Sequence, residues 1–314
     1  MRTKFVDFLK KRPICLSFLA KFCIYIFQFI IAVLPIVFPV LNSDSNGITL
    51  IRKIFIYIAP TLFLVWFLKY KYIFFEHKKI EHKKSNAVNL ATIIFIGFKV
   101  LIIMSMFVCT LILTPKLSEA LFYFTGEEIF EQVLQAIIIV VAAPFAEEMF
   151  DRGIITNALA DKYAKTKKGV VFCVLFSGLF FGLSHLTNVF SVDETSIDVF
   201  SVNGIDIVVI MQCAIQSMHA ICVGLFFSAL YLRKRNIYIP ILLHSLNNMA
   251  GFLSPLMYLL GRRGGCDQAI YSVAANVVGV LNNWIGSVLF VVFTWLVLRK
   301  NGFSEIIANF KKEA

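Results

Sequence analysis

The sequence predicts an all-α protein, a polytopic bundle of about eight transmembrane helices. Of the 314 residues, 59% are hydrophobic and only 16% are charged. The mean hydropathy of +0.81 is well above the usual range for a soluble globular domain. The apolar residues also form stretches of about 20 or more residues, the length that a helix needs to cross a bilayer. Since no water inside the bilayer can satisfy backbone polar groups, helices are the expected structure.

Eight apolar stretches are the expected spans. No fixed-period repeat and no long polar linker separates them, so we expect one membrane domain over residues 1–314. The basic segment before the first stretch is not followed by a small-residue cleavage pattern, which indicates a retained span and not a signal peptide. In chain order the stretches are 22–41, 54–74, 90–114, 132–158, 169–190, 205–231, 237–260 and 275–299.

The basic residues cluster at the ends of these spans. Their distribution follows the positive-inside rule and places both termini in the cytoplasm. Nucleic-acid binding would require the charges to share one surface, so the net charge of +11 does not indicate it. The clusters are Lys10, Lys11 and Arg12; Lys78, Lys79, Lys83 and Lys84; Lys165, Lys167 and Lys168; and Arg233, Lys234 and Arg235.

Ionisable side chains are concentrated in the fourth span. Buried charges in a membrane are costly, and they usually face the protein interior or a watery cavity, often with a functional role. Residues four apart share a helix face, so Glu148 can pair with Arg152, while Glu147 lies about 100° away. We expect Glu148 to stay ionised and Glu147, with Asp151 four residues later, to be able to take up a proton. Pro144 predicts a kink just before the glutamates.

The fifth and seventh spans each carry one polar stripe. His185 follows Phe181 by four residues, and Asn248 follows His244 by four. A carboxylate with a neutral imidazole can deprotonate a water, and a second imidazole with an amide can donate hydrogen bonds to an oxyanion. Taken alone, the charges of the fourth span fit an ion-pair brace between helices as well as catalysis. The three spans together favour a peptide-bond hydrolase.

Other polar residues in the spans have a simpler interpretation. His219 lies in the sixth span near Gln216, and Asn282 and Asn283 lie in the last span. Single polar residues in membrane helices commonly form hydrogen bonds between helices. We interpret these three residues in that way.

The three motifs, in this order on membrane spans, resemble those of the CPBP family, the CAAX proteases and bacteriocin-processing enzymes also called the Abi family. The pattern is Glu-Glu-x-x-x-Arg, then Phe-x-x-x-His, then His-x-x-x-Asn. The resemblance covers residues 132–250, the expected catalytic core. The matching residues are Glu147, Glu148 and Arg152; Phe181 and His185; and His244 and Asn248.

The resemblance implies a multi-pass enzyme of the cell membrane, an intramembrane glutamic endopeptidase without metal or cofactor. Glu147 and His185 would activate water, His244 and Asn248 would form the oxyanion site, and Glu148 and Arg152 would brace it. The implied partners are the lipid bilayer and a peptide precursor or lipid-anchored protein as substrate. Eukaryotic members of the family act on prenylated CAAX proteins, and bacterial members act on secreted-peptide precursors or are tied to bacteriocin self-immunity.

Three alternatives stay open. Two histidines and two glutamates can ligate zinc, although the helical His-Glu-x-x-His arrangement is missing. A non-enzymatic membrane protein, such as an immunity protein that sequesters a toxin, would also use buried polar groups for binding. A transporter would line its pathway with buried charges, but the sequence has no paired halves or inverted repeat.

The expected spans conflict with a single site in one respect. At about 1.5 Å of rise per residue, they put His185 toward the outer side and His244 slightly toward the inner side, roughly 15–20 Å apart in depth. One active site requires these side chains within a few ångströms. The motifs therefore predict that the two histidines lie close together, whereas the span boundaries predict that they lie far apart.

Overall fold

The computed structural model describes residues 2–37, 46–68, 86–122, 125–190, 207–265, 267, 273, 277–299 and 301–311, and within these ranges every regular element is helical. This confirms the predicted all-α class. The helices are α1 Arg2–Lys10, α2 Pro13–Val37, α3 Asn46–Phe67, α4 Asn86–Leu113, α5 Leu117–Phe122, α6 Gly126–Tyr163, α7 Lys167–Ser184, α8 Ile207–Lys234, α9 Tyr238–Arg263, α10 Gly286–Leu298 and α11 Gly302–Lys311. A 3₁₀ segment, His185–Phe190, continues α7, and a π-helical segment, Leu281–Ile285, precedes α10.

Each of the eight predicted spans overlaps one of these helices. Among the described residues, six stretches are long and apolar enough to cross a bilayer. The first of them starts earlier than predicted, at Pro13 and not at residue 22. The two predicted spans outside this set correspond to α3, whose apolar part Ile58–Phe67 is short, and to α9, which carries the polar residues of the seventh span. The six stretches are Pro13–Ile30, Val88–Leu113, Gly126–Tyr163, Lys167–Thr187, Ile210–Lys234 and Val277–Leu298.

The outer faces of the helices are apolar. Large hydrophobic side chains remain exposed on several of the spans, among them Phe29, Ile112, Leu183, Val288 and Trp295. In water such a surface would be an extensive apolar patch, whereas in a bilayer it contacts lipid chains. Together with the six apolar stretches, this surface identifies a multi-pass membrane protein.

Helix α8 is the centre of the bundle and the most buried of the six spans. It packs against α7 and α10. On α7, Gly178 and Gly182 form a Gly-x-x-x-Gly pair, and a Cβ atom added at Gly182 would lie 2.5 Å from the backbone nitrogen of Ile221 on α8. Small residues at this spacing allow two membrane helices to approach closely. The close approach sets the position of Phe181 and His185 against α8.

The long helix α6 changes its helix type around the glutamates. Two π-helical segments, Ile137–Ala142 and Met149–Thr156, flank the short α-helical segment Ala143–Glu148. Pro144, at the start of that segment, has no amide hydrogen to donate. The disturbance predicted at Pro144 takes the form of a π-helical segment directly before it, and such segments are frequent at functional sites.

Helix α9 completes the surroundings of the site. It packs against α4 and against the middle of α6, while α7 and α8 lie across from it. An aromatic core of Phe95, Phe226, Phe227 and Phe290 fills the space between α4, α8 and α10. The ring of Phe227 is 5.8 Å from that of His244, so this core forms one wall of the site.

Candidate active site

Arg152 and Glu148 form a buried ion pair on α6, as their spacing predicts. Both side chains are fully buried, and Arg152 Nη1 donates to Glu148 Oε1 at 3.1 Å. Arg152 Nη2 donates to the carbonyl oxygen of Gly224 on α8 at 3.3 Å. The guanidinium carbon lies 4.5 Å from the centre of the Phe181 ring. Arg152 therefore connects α6, α7 and α8 through one side chain.

The ring of His244 lies between the two glutamates. Its Nδ1 is 2.8 Å from Glu148 Oε1, and its Nε2 is 3.7 Å from Glu147 Oε2. A carboxylate paired with arginine accepts hydrogen bonds only, so Nδ1 of His244 carries the hydrogen and donates it to Glu148. The second contact is too long for a direct hydrogen bond and leaves room for an additional group. Glu147 is partly exposed, with 29% of its side-chain surface accessible, whereas Glu148 has none.

The ring of Phe181 contacts both candidate catalytic histidines, His185 and His244. The centre of its ring is 4.9 Å from the ring of His185 and 5.7 Å from that of His244. The backbone oxygen of Phe181 lies 3.0 Å from His185 Nδ1, which fixes this imidazole at the end of α7. These distances contradict the separation of about 15–20 Å that the predicted span boundaries gave. The motif spacing was the better guide to the arrangement of the two histidines.

A cavity of about 330 Å³ opens between α6, α7, α8, α9 and the segment before α10. Its volume falls in the range of ligand pockets, about 300–1,000 Å³. Its lining residues include Phe181, His185, His244 and Asn248. Asn248 Nδ2 donates to the backbone oxygen of Ile139 at 3.1 Å, which orients its amide. Of the six predicted site residues, three line the cavity: His185, His244 and Asn248. The other three are connected to it through His244, whose ring contacts Glu148, the partner of Arg152, and lies 3.7 Å from Glu147.

Asp151 has surroundings that differ from those of the glutamates. It is buried, and neither of its carboxylate oxygens has a hydrogen-bond partner among the described residues. The nearest described cation outside α6 that acts on it electrostatically is Lys21 of α2, whose Nζ lies 5.2 Å from the ring centre of Phe150. Sequence reasoning placed Asp151 beside Glu147 as an additional charge. In the structure Arg152, Glu148 and Glu147 act on it electrostatically, but none of them forms a hydrogen bond with its carboxylate.

A second polar cluster also reaches the cavity. Lys99, fully buried on α4, donates from Nζ to Asn282 Oδ1 at 2.7 Å. Asn282 Nδ2 donates to Asn283 Oδ1 at 3.3 Å, and the backbone oxygen of Asn283 lies 3.2 Å from His219 Nδ1. The interpretation of His219 and the two asparagines as links between helices is confirmed by these bonds. The same residues also line the cavity, which the sequence interpretation missed.

We call these two groups the Arg152 cluster, comprising Arg152, Glu148 and His244, and the Lys99 cluster, comprising Lys99, Asn282, Asn283 and His219. Sequence reasoning did not identify Lys99. A single lysine inside an apolar stretch was the signal that could have found it, because buried charges in membrane spans need a specific environment.

Metal ligation was one of the open alternatives. In the described part of the chain, no group of three or more His, Cys, Asp or Glu side chains is arranged to hold a metal ion.

Comparison with known proteins bears on this geometry. Residues 129–250 match the family model described as type II CAAX prenyl endopeptidase, Rce1-like. The match covers less than half of the chain, and it makes this segment similar to the CAAX proteases that the sequence motifs resemble. It contains the Arg152 cluster, Glu147, His185 and Asn248, whereas Lys99, Asn282 and Asn283 lie outside it. No curated protein and no solved structure matches the chain.

Proposed function

We propose that the protein is an intramembrane endopeptidase of the glutamate type, which hydrolyses a peptide bond without a metal ion or cofactor. The observation that carries the proposal is the position of the His244 ring between Glu148 and Glu147, at the end of a cavity inside the membrane bundle. The family match supports membrane endopeptidase activity. The arrangement of the charged groups supports the glutamate-type mechanism.

Glu147 is the general base in this proposal. Of the two glutamates, it alone has accessible side-chain surface, because Glu148 is fully buried and engaged by Arg152. His185 is close enough to interact electrostatically with Glu147. A water molecule held by Glu147 and His185 attacks the carbonyl carbon of the scissile bond and transfers its proton to Glu147. The proton then passes to the nitrogen of the leaving amine, so the catalytic groups return to their starting state.

His244 and Asn248 are positioned as oxyanion donors. When His244 is protonated at both nitrogens, Nε2–H becomes a donor and the adjacent Glu148 carboxylate balances its charge. The amide nitrogen of Asn248 has two hydrogens; one bonds to the Ile139 oxygen and the other remains to donate. Removing a single oxyanion donor typically lowers kcat by about 10²–10³-fold.

Glu148 and Arg152 act as positioning residues. Glu148 fixes the tautomer and orientation of His244 through the 2.8 Å bond to Nδ1. Arg152 balances the charge of the Glu148 carboxylate and links it to α8 through the carbonyl oxygen of Gly224. This resembles the general arrangement in which a third group orients a catalytic imidazole.

The description of the matched family, type II CAAX prenyl endopeptidase, supports a lipid-anchored substrate. We propose a peptide precursor or lipid-anchored protein of the cell membrane, since a site inside the bundle is suited to a chain delivered from the bilayer. Processing or inactivation of a secreted peptide, including bacteriocin self-immunity, is the biological role that this chemistry would serve in a bacterial cell.

The proposal is tested by comparing wild type with Glu147→Gln in the producing cell. Mass spectrometry of membrane and secreted peptides should find a product that disappears in the variant, because the base that activates water is lost. Glu127→Gln is the matched control, since it makes the same chemical change at an exposed position of the same helix.

The product should persist in the Glu127→Gln control. If the peptide profile and the cellular phenotype are unchanged in well-expressed Glu147→Gln, the protein is not an endopeptidase of this kind. That result would favour a non-enzymatic membrane binder.

A further inference from the structure

Three buried hydroxyl groups lie next to the contacts of Arg152. Each is on one of the three helices that Arg152 connects, and each side chain is fully buried. They are Thr156 on α6, Ser177 on α7 and Ser228 on α8. Each stands four positions along its helix from one member of a layer that consists of Arg152, Phe181 and Gly224. Since residues four apart share a helix face, the hydroxyl groups form a second layer about one turn from the first.

The three hydroxyl groups form one hydrogen-bond chain with a single direction. Thr156 Oγ1 donates to the backbone oxygen of Asp151 at 2.7 Å. A hydroxyl group has only one hydrogen, so the 2.6 Å contact between Thr156 Oγ1 and Ser177 Oγ is donated by Ser177. Ser228 Oγ in turn donates to Ser177 Oγ at 2.9 Å. The chain therefore runs from α8 through α7 to the main chain of α6, and bonds arranged in this way strengthen one another.

The carbonyl at the end of this chain belongs to a wide turn of α6. In an α-helix a threonine hydroxyl bonds to a carbonyl three or four positions earlier. The hydroxyl of Thr156 reaches five positions back, which is the spacing of a π-helix. Met149–Thr156 is such a segment, and Arg152 lies within it. Because π-helices are rare, this turn requires local support, and the hydroxyl chain provides it from α7 and α8.

The wide turn is connected to the reacting groups through Arg152. Arg152 bonds to Glu148 at 3.1 Å, and Glu148 holds His244 Nδ1 at 2.8 Å. A shift of the turn would therefore change the direction of the His244 ring. We propose, on the basis of the endopeptidase function above, that the hydroxyl chain is a positioning element. Acting through Arg152 and Glu148, it keeps His244 Nε2 directed at the developing oxyanion.

The test removes one hydroxyl group at a time. Thr156→Val keeps the branched side chain and loses the hydroxyl, and cleavage of an internally quenched, farnesylated CAAX peptide is measured in liposomes. We expect kcat per folded protein to fall by about 10- to 100-fold, because the oxyanion donor is displaced. KM should change by less than about 2-fold, since the displaced group acts in the transition state. Thr156→Ser restores the hydroxyl and should recover most of the loss.

Two further variants separate positioning from the ordinary role of hydroxyl groups as links between membrane helices. Ser177→Ala breaks the same chain from α7 without changing α6, so it should also lower kcat, and the double variant with Thr156→Val should be no slower than Thr156→Val alone. Thr294→Val is the matched control. It removes a buried hydroxyl that bonds to the Phe290 oxygen of its own helix, α10, and should retain kcat.

The orientation of His244 can also be measured without a substrate. In liposomes with ¹⁵N-histidine-labelled protein, the Nδ1 resonance of His244, assigned with His244→Gln, should shift in Thr156→Val and Ser177→Ala and stay in place in Thr294→Val. If wild type does not cleave the peptide, the proposed function fails, and this resonance still decides the role of the chain. An unchanged resonance in both variants would overturn the proposal whatever their activity, as would a Thr156→Ser variant as slow as Thr156→Val.

Discussion

The Arg152 and Lys99 clusters each contain a fully buried cation and reach the same cavity through a histidine, His244 or His219, but the two cations have different partners. Arg152 is paired with the carboxylate of Glu148, and this carboxylate holds His244. Lys99 donates to the amide of Asn282, and no carboxylate in the described ranges forms an ion pair with it. The rings of Phe98 and Phe290, 5.5 and 5.4 Å from its Nζ, complete its surroundings.

The difference indicates what each cluster does. A carboxylate between a cation and an imidazole fixes the orientation of the ring and balances a positive charge that develops on it, which is the requirement of a reacting group. An amide accepts the hydrogen bond of Lys99 without a countercharge, which suits a contact that holds helices together. The Arg152 cluster lies within residues 129–250, while Lys99 and its asparagines lie outside the matched segment.

The largest expected effect on stability is that of Arg152→Met. The change leaves Glu148 as a buried charge without its cation and removes the bond to Gly224, at a cost of about 3–5 kcal/mol. Reversible unfolding in bicelles should show this loss. Adding Glu148→Gln to the same variant removes the unpaired charge and should recover part of it, as a double-mutant cycle would measure. A purely additive result would show that the two side chains do not form a pair.

A smaller effect on stability is expected for Lys99→Met, which tests the role of the cation in the Lys99 cluster. Methionine keeps much of the apolar stem and removes a buried charge that has no carboxylate partner. Replacing buried ionic groups by apolar ones is often neutral or stabilising. The free energy of unfolding should therefore change by less than about 1 kcal/mol or increase. A loss as large as that of Arg152→Met, in the same unfolding assay, would show that the two cations have equivalent roles.

The sequence predicted the helical bundle because long apolar stretches follow directly from the bilayer thickness. It placed the start of the first span at residue 22, whereas the apolar stretch of the structure starts at Pro13 and includes Lys21. In the structure Lys21 packs over Phe150 and acts on Asp151, so its charge is accommodated by the protein within the stretch Pro13–Ile30.

The contacts of the site that join residues close in sequence could be predicted. The pair of Glu148 and Arg152 follows from helical spacing alone. The placement of His244 between two glutamates depends on how α9 packs against α6, and the partners are 96 residues apart for Glu148. The hydrogen bond from Lys99 to Asn282 joins residues 183 positions apart, so no local sequence pattern predicts it.

The most direct test of the central claim compares Glu147→Gln with Glu148→Gln, two identical changes at adjacent positions. Cleavage and thermal stability of the purified variants would be measured in liposomes on the peptide found in the cell. We expect Glu147→Gln to lose cleavage by about 10²–10⁴-fold with its melting temperature unchanged. Glu148→Gln should also lose stability, because Arg152 becomes an unpaired buried cation. Wild-type cleavage by Glu147→Gln, or full stability of Glu148→Gln, would contradict the division of roles between the two glutamates.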